Sequence, residues 1–144
     1  MHTADDRIAR MRQAMKRRGL AAYIVPSSDP HLSEYLPARW QGRHWLSGFN
    51  GSAGTLVITR RFAGLWVDSR YWEQAEIELA ASSVQTMKLG AGNTPGYVEW
   101  LAAHMRSKER VGVDGQVLGL AAFRALSSAL SPVGVTLDIT ADLL

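Results

Sequence analysis

The sequence contains no cysteine, which excludes disulfide staples and thiolate metal sites and suits a reducing compartment. Nor does any apolar run approach the roughly 18 residues of a membrane-crossing helix, and the opening Met-His-Thr-Ala-Asp-Asp has no apolar signal core. The expectation is a soluble cytoplasmic protein with no membrane partner. Histidine is scarce, and His2, His31, His44 and His104 show none of the one-turn spacing that places two imidazoles on one zinc ion. Each reads as a solvated or singly hydrogen-bonded ring. Residues 48–55 are glycine-rich but hold no lysine, so a phosphate-binding P-loop fails. A serine nucleophile elbow fails as well, because Asn50 stands where the first glycine is required before Ser52. The stretch reads as a turn that lets the backbone approach its neighbours closely.

What is present points to one compact domain over residues 1–144: the chain is 47% apolar and long enough to bury a sizeable core. The five tryptophans fall between Trp40 and Trp100, and core packing is the expected use of most of them. The formal charge is +3, but the cations are dispersed apart from Lys16, Arg17, Arg18 and the pair Arg60, Arg61. No stripe of cations interleaved with aromatics runs along the sequence, so a nucleic-acid partner is not expected.

Asp5 or Asp6 can cap a first helix carrying Ile8, Met11, Ala14 and Met15 on one face, with cations in its last turn and Gly19 ending it. Residues 21–25 are an apolar run closed by Pro26, the pattern of a strand buried on both faces. Residues 27–54 form a long polar connection, and such connections tend to be functional. Residues 55–59 and 63–67 read as a hairpin around Arg60 and Arg61. A helix is then predicted from Ser69, its cap, through about Ala80, with Tyr71, Ala75 and Leu79 on one face. Strand 84–89, a helix opening at Thr94 and Pro95, strand 111–113, a helix carrying Leu120, Phe123, Leu126 and Leu130, and a last strand with Val135, Leu137 and Ile139 complete the chain. This order implies an α/β fold: a mixed sheet of about six strands with helices on both faces.

Asp29, Asp68 and Asp114 each stand at or just beyond the end of a predicted strand. A two-metal nuclease clusters carboxylates in that way, although aspartate is common at such junctions simply because it caps helices and turns. Arg70 occupies a helix start, where the dipole disfavours a cation. It can reach a carboxylate or peptide carbonyl across a cleft, or pair with Glu73 or Asp68.

Three stretches resemble the N-terminal domain of the cytosolic-type Xaa-Pro aminopeptidases (aminopeptidase P). They are Ala22-Tyr23-Ile24-Val25-Pro26-Ser27-Ser28-Asp29-Pro30-His31 with Ser33-Glu34-Tyr35; Ser47-Gly48-Phe49-Asn50-Gly51-Ser52-Ala53-Gly54-Thr55; and Trp66-Val67-Asp68-Ser69-Arg70-Tyr71. The middle stretch differs from the family's usual form only in having Asn50 for aspartate. Met87-Lys88, Thr94-Pro95, Trp100-Leu101 and Arg110-Val111-Gly112-Val113-Asp114 extend the similarity over nearly the whole chain.

The resemblance implies a creatinase/prolidase N-terminal fold of ribonuclease-H-like topology, which brings no nuclease activity with it. It further implies that catalysis belongs to a C-terminal "pita-bread" domain absent from this chain, where two divalent metals, usually manganese, activate the water that cleaves Xaa-Pro peptides. This chain alone would hold no cofactor and be inactive. Its partners would be its own catalytic domain, the Xaa-Pro peptide and, in the parent, a second subunit. Arg70 corresponds to the arginine that contacts bound peptide in the larger cytosolic enzymes, although Ser69 replaces the usual glycine before it. His31, Tyr35, Phe49, Asn50 and Ser52 would lie near the cleft or domain interface. A stand-alone peptide- or protein-binding module of the same fold is the alternative, and the end at residues 139–144, without a polar tail, is what a cut at a domain boundary would leave.

Overall fold

The computed structural model describes residues 4–26, 54–90, 92, 94–114 and 118–139. Helix α1 (Ala4–Arg18) buries Ile8, Met11 and Met15 of its expected apolar face, and Ala14 is half-buried at its margin. It stops at Gly19, whose φ of 68° is the left-handed conformation that glycine adopts without strain, while Leu20 N donates back to the Met15 carbonyl at 2.9 Å.

Six strands form one mixed sheet: β1 (Ala22–Val25), β2 (Thr55–Thr59), β3 (Ala63–Val67), β4 (Gln85–Lys88), β5 (Arg110–Val113) and β6 (Thr136–Asp138), in the spatial order β4-β3-β2-β1-β5-β6. Strand β2 runs antiparallel to both neighbours, and every other pairing is parallel. All strands except β2 therefore end at one edge of the sheet, called here the carboxyl edge, and begin at the opposite, amino edge. Helix α2 (Trp72–Leu79) connects β3 to β4, α3 (Tyr97–His104) lies between β4 and β5, and α4 (Leu120–Leu130) between β5 and β6.

Strand alternation divides the core in two. On one face Tyr23, Val25, Leu56, Ile58, Leu65 and Val67 meet α1 and α2. On the other, Ile24, Val57, Trp66, Val111 and Val113 meet α3 and α4. Helix α1 lies across the strands: Asp5 accepts from Ser83 ahead of β4, Arg12 Nε donates to the Thr59 carbonyl at the end of β2, and the Arg18 carbonyl accepts from Arg110 at the start of β5. Thirteen residues of helix cover about 20 Å, close to the roughly 19 Å of four strand spacings between β4 and β5.

Three local expectations are corrected. Asp68, rather than Ser69, is the cap: its Oδ1 accepts from Arg70 N at 3.0 Å and starts a 3-10 turn (Ser69–Tyr71) that precedes α2. Pro95 lies ahead of α3 rather than in its first turn, because Gly96 is extended and the Pro95 carbonyl is taken by the indole N–H of Trp66 at 2.9 Å. In α4 the core receives Leu126 and Leu130, while Leu120 is 63% exposed and Phe123 36%, since packing under this helix comes from its later turns.

Candidate functional site at the carboxyl edge

Arg70 stands at the carboxyl edge because β3 ends at Val67 and Asp68 turns the chain into the short 3-10 segment. Below it, Tyr71 N donates to the Asp68 carbonyl at 3.0 Å and Trp72 Nε1 to the Val67 carbonyl at 3.1 Å. The turn is thus tied to the strand end by a buried-side indole as well as by its own cap. The Arg70 side chain folds back on Asp68 in a two-pronged contact, Nη2 to Oδ2 at 2.9 Å and Nε to Oδ1 at 3.2 Å. Its guanidinium also sits 5.4 Å from the centre of the Tyr71 ring. Of the two pairing options left open by the sequence, Asp68 is the one used, and Glu73 is not.

The ion pair is wet, with the Arg70 side chain 72% and that of Asp68 43% exposed. The hydrogen bond from Arg70 holds the Asp68 carboxyl below its ordinary pKa, and the same contact raises that of the guanidinium. Beside it lies an open groove of about 370 Å³ lined by Arg70, Glu73, Gln74, Ile77 and Glu78. Lys88, at the end of β4, pairs with Glu76 and lies 5.8 Å from the centre of the Trp72 ring. Trp72, Lys88 and Glu76 are supports that the sequence reading missed. Their proximity follows from β4 pairing in parallel beside β3, which no local pattern announces.

Chemically, this edge offers a planar donor fork that can exchange an intramolecular carboxylate for a ligand's carboxylate or carbonyl. Asp68 and Asp114 follow β3 and β5, three strand positions apart, roughly 14 Å at ordinary strand spacing, so they cannot share a metal ion. No group of three or more His, Cys, Asp or Glu side chains among the described residues could hold one. The two metals implied by the resemblance therefore do not fit these residues. Asp29, His31, Tyr35, Phe49, Asn50 and Ser52 lie outside the described residues.

Comparison with known proteins decides the family. Residues 7–142 match the Creatinase/Prolidase N-terminal domain. The chain belongs to the creatinase/prolidase N-terminal domain family. Among curated members, Xaa-Pro aminopeptidase ApepP of Drosophila melanogaster is 41% identical over 130 residues, covering 86% of this chain and 21% of that protein. Xaa-Pro aminopeptidase 1 of Dictyostelium discoideum is 35% identical over 94% of this chain and 22% of its own length. The chain thus spans about a fifth of these relatives. The crystal structure of X-prolyl aminopeptidase from Caenorhabditis elegans, described as a cytosolic enzyme with a di-nuclear active site, superposes with a TM-score of 0.90 at 31% identity. It covers 99% of this chain and 25% of that one. A creatinase/prolidase-like N-terminal domain from Corynebacterium diphtheriae, at 20% identity and a TM-score of 0.68 over 94% of both chains, shares the fold. The creatinase/prolidase N-terminal domain fold expected from the three motifs is the one observed, a mixed sheet of six strands between helices. No helix among the described residues is long and apolar enough to cross a membrane.

Proposed function

We propose that this chain is the non-catalytic N-terminal domain of a cytoplasmic Xaa-Pro aminopeptidase, a metal-dependent hydrolase that removes the first residue from peptides with proline second. The observation that carries the reading is the match to the C. elegans X-prolyl aminopeptidase along 99% of this chain but only 25% of that enzyme. Hydrolysis belongs to a C-terminal domain holding two divalent metals, of which manganese is the expected one. This domain closes over its cleft and contributes to the contacts of a homodimer. Arg70 positions the peptide by trading Asp68 for a substrate carboxylate or carbonyl, which an exposed pair can do at little cost because surface ion pairs are worth little. Residues 31, 35, 49, 50 and 52 border the same cleft or the domain interface.

The test is hydrolysis of a fluorogenic Xaa-Pro peptide with Mn²⁺ by this chain, by the full-length parent and by the parent carrying Arg70→Ala. The expected results are no turnover by the chain alone, turnover by the parent, and about a tenfold or larger loss in kcat/KM for the variant, the scale of one charged hydrogen bond. Metal-dependent cleavage by the isolated chain would overturn the reading. An Arg70→Ala parent as active as the unaltered one would confine Arg70 to capping its own turn.

A further inference from the structure

The amino edge carries a second concavity, remote from Arg70, and its walls come from four separate parts of the chain, with Ala21 at the entry to β1 as an apolar floor residue. The β2–β3 turn supplies Thr59, Arg60 and Arg61, the end of α3 supplies His104, and the connection to β5 supplies Arg106 and Glu109. Its volume of about 390 Å³ lies within the range of small-ligand sites, roughly 300 to 1,000 Å³.

The sequence builds this groove from rigid pieces. Thr59 is nearly buried, its N–H donates to the Phe62 carbonyl at 2.8 Å, and its Oγ1 accepts from Phe62 N at 3.0 Å, so the two arginines ride on a pinned turn. The Thr59 carbonyl is held in addition by Arg12 Nε at 2.8 Å. Across the groove, His104 stacks on Trp100 with centroids 4.1 Å apart and planes 17° from parallel, and Trp100 stacks in turn on Phe62 at 4.6 Å. His104 Nδ1 is 2.8 Å from the Trp100 carbonyl. A carbonyl can only accept, so Nδ1 carries the proton and Nε2 is the ring atom left for a ligand.

Charge is unbalanced here. Three guanidiniums line the groove against one carboxylate, a formal surplus of two positive charges. Glu109 makes a loose 3.6 Å contact with Arg60, whose side chain is 72% exposed, and accepts from the backbone N–H of Arg106. Among the described residues the Arg61 and Arg106 guanidiniums have no carboxylate partner. This is the reverse of the carboxyl edge, where Asp68 already occupies Arg70. Arginines and an aromatic stack that lie far apart in the sequence meet at this groove.

We propose that the amino-edge groove is a binding site for a small phosphate-bearing anion, with Arg60, Arg61 and Arg106 as donors and the His104 ring as a lateral wall. Planar guanidinium forks match phosphate oxygens in pairs, and a dianion offsets the surplus charge. The site is separate from the peptide-positioning role of Arg70 and does not depend on it.

Calorimetric titration of this chain with inorganic pyrophosphate and with ADP, alongside ¹⁵N NMR of the arginine side chains, tests the proposal. Saturable binding is expected, with shifts at Arg60, Arg61 and Arg106. R61E/R106E should weaken it at least tenfold and the exposed-helix control R124E less than about twofold, the loss of two charged donors against none. Glu109→Gln should tighten binding, an effect that misfolding cannot imitate. Tighter binding of ADP than of pyrophosphate would support a base stacked on His104, and equal binding would support phosphate recognition alone. Absence of saturable binding, shifts mapping elsewhere, or equal losses in R124E would overturn the proposal. A single-stranded oligonucleotide that binds where pyrophosphate and ADP do not would replace it with a nucleic-acid surface.

Discussion

The two faces of the sheet are built on different principles. The face under α1 and α2 is mainly aliphatic, from Ile8, Met11 and Met15 to Leu79 and Val84, with the Tyr23 ring buried among them and Tyr71 and Trp72 at its margin. The face under α3 and α4 is organised around touching rings, with Trp66 meeting Trp100 edge-on at 5.7 Å and Phe62 at 6.1 Å. Aliphatic side chains contribute in proportion to buried area, with no preferred relative orientation. Rings add orientation-dependent contacts, and a buried indole also carries a polar N–H that needs a partner, which that of Trp66 finds on the Pro95 carbonyl. The consequence is that one face fixes position mostly by volume and the other by geometry, and the amino-edge groove lies against the geometric one.

The largest expected effect comes from Trp66→Ala, which empties the centre of the ring face and strands the Pro95 carbonyl; about 3–5 kcal/mol should be lost in urea unfolding. On the aliphatic face Ile8→Val should cost only about 0.5–1.5 kcal/mol, since one methyl group is removed. A Trp66→Ala cost no larger than that of Ile8→Val would break the contrast. Gly64 sharpens it. A Cβ there would lie 2.6 Å from the Phe62 ring, which is itself stacked on Trp100, so Gly64→Ala should cost about 1–3 kcal/mol by thermal unfolding. Smaller again is the coupling between Phe62 and Trp100. A double-mutant cycle with leucine at both positions should return about 0.5–1.5 kcal/mol, and strict additivity would mean the stack contributes only area.

The smallest effect belongs to the carboxyl edge and is best read as a titration. Arg70 depresses the folded-state pKa of Asp68, so whatever the pair contributes is present above the unfolded value of about 3.9 and fades as pH falls through the lower folded value. Replacing Arg70 by Gln should move the Asp68 carboxyl back up toward that ordinary value in a ¹³C NMR titration. An unmoved carboxyl would mean that the backbone N–H of residue 70 governs it.

Most of the architecture was legible in the chain because it is encoded in short-range periodicity. The face of α1, the β2–β3 hairpin and the doubly buried β1 each follow from residues a few positions apart. Two of the three misreadings fall where distant packing intervened, the third being the purely local choice of Asp68 over Ser69 as cap. Pro95 was displaced from α3 because the Trp66 indole needs its carbonyl, and α4 buries only half of its apolar stripe because packing beneath it stops short of its first turns. Of the candidate site, Arg70 was found from motif and helix-dipole reasoning, whereas its partner was one of two that spacing allowed.

The sequence alone therefore determined the family, through three motifs in order, and the kind and order of the elements, through apolar periods and glycine and proline punctuation. Only the tertiary structure decided which strands are neighbours, that Asp68 and Asp114 stand too far apart to share an ion, and that Arg61, His104 and Arg106 line one groove. The physical reason is range. Hydrogen-bond caps and amphipathic periods act over a turn or two and leave a local imprint, while strand order and edge placement are fixed by burying two whole faces at once, an interaction among residues separated by most of the chain.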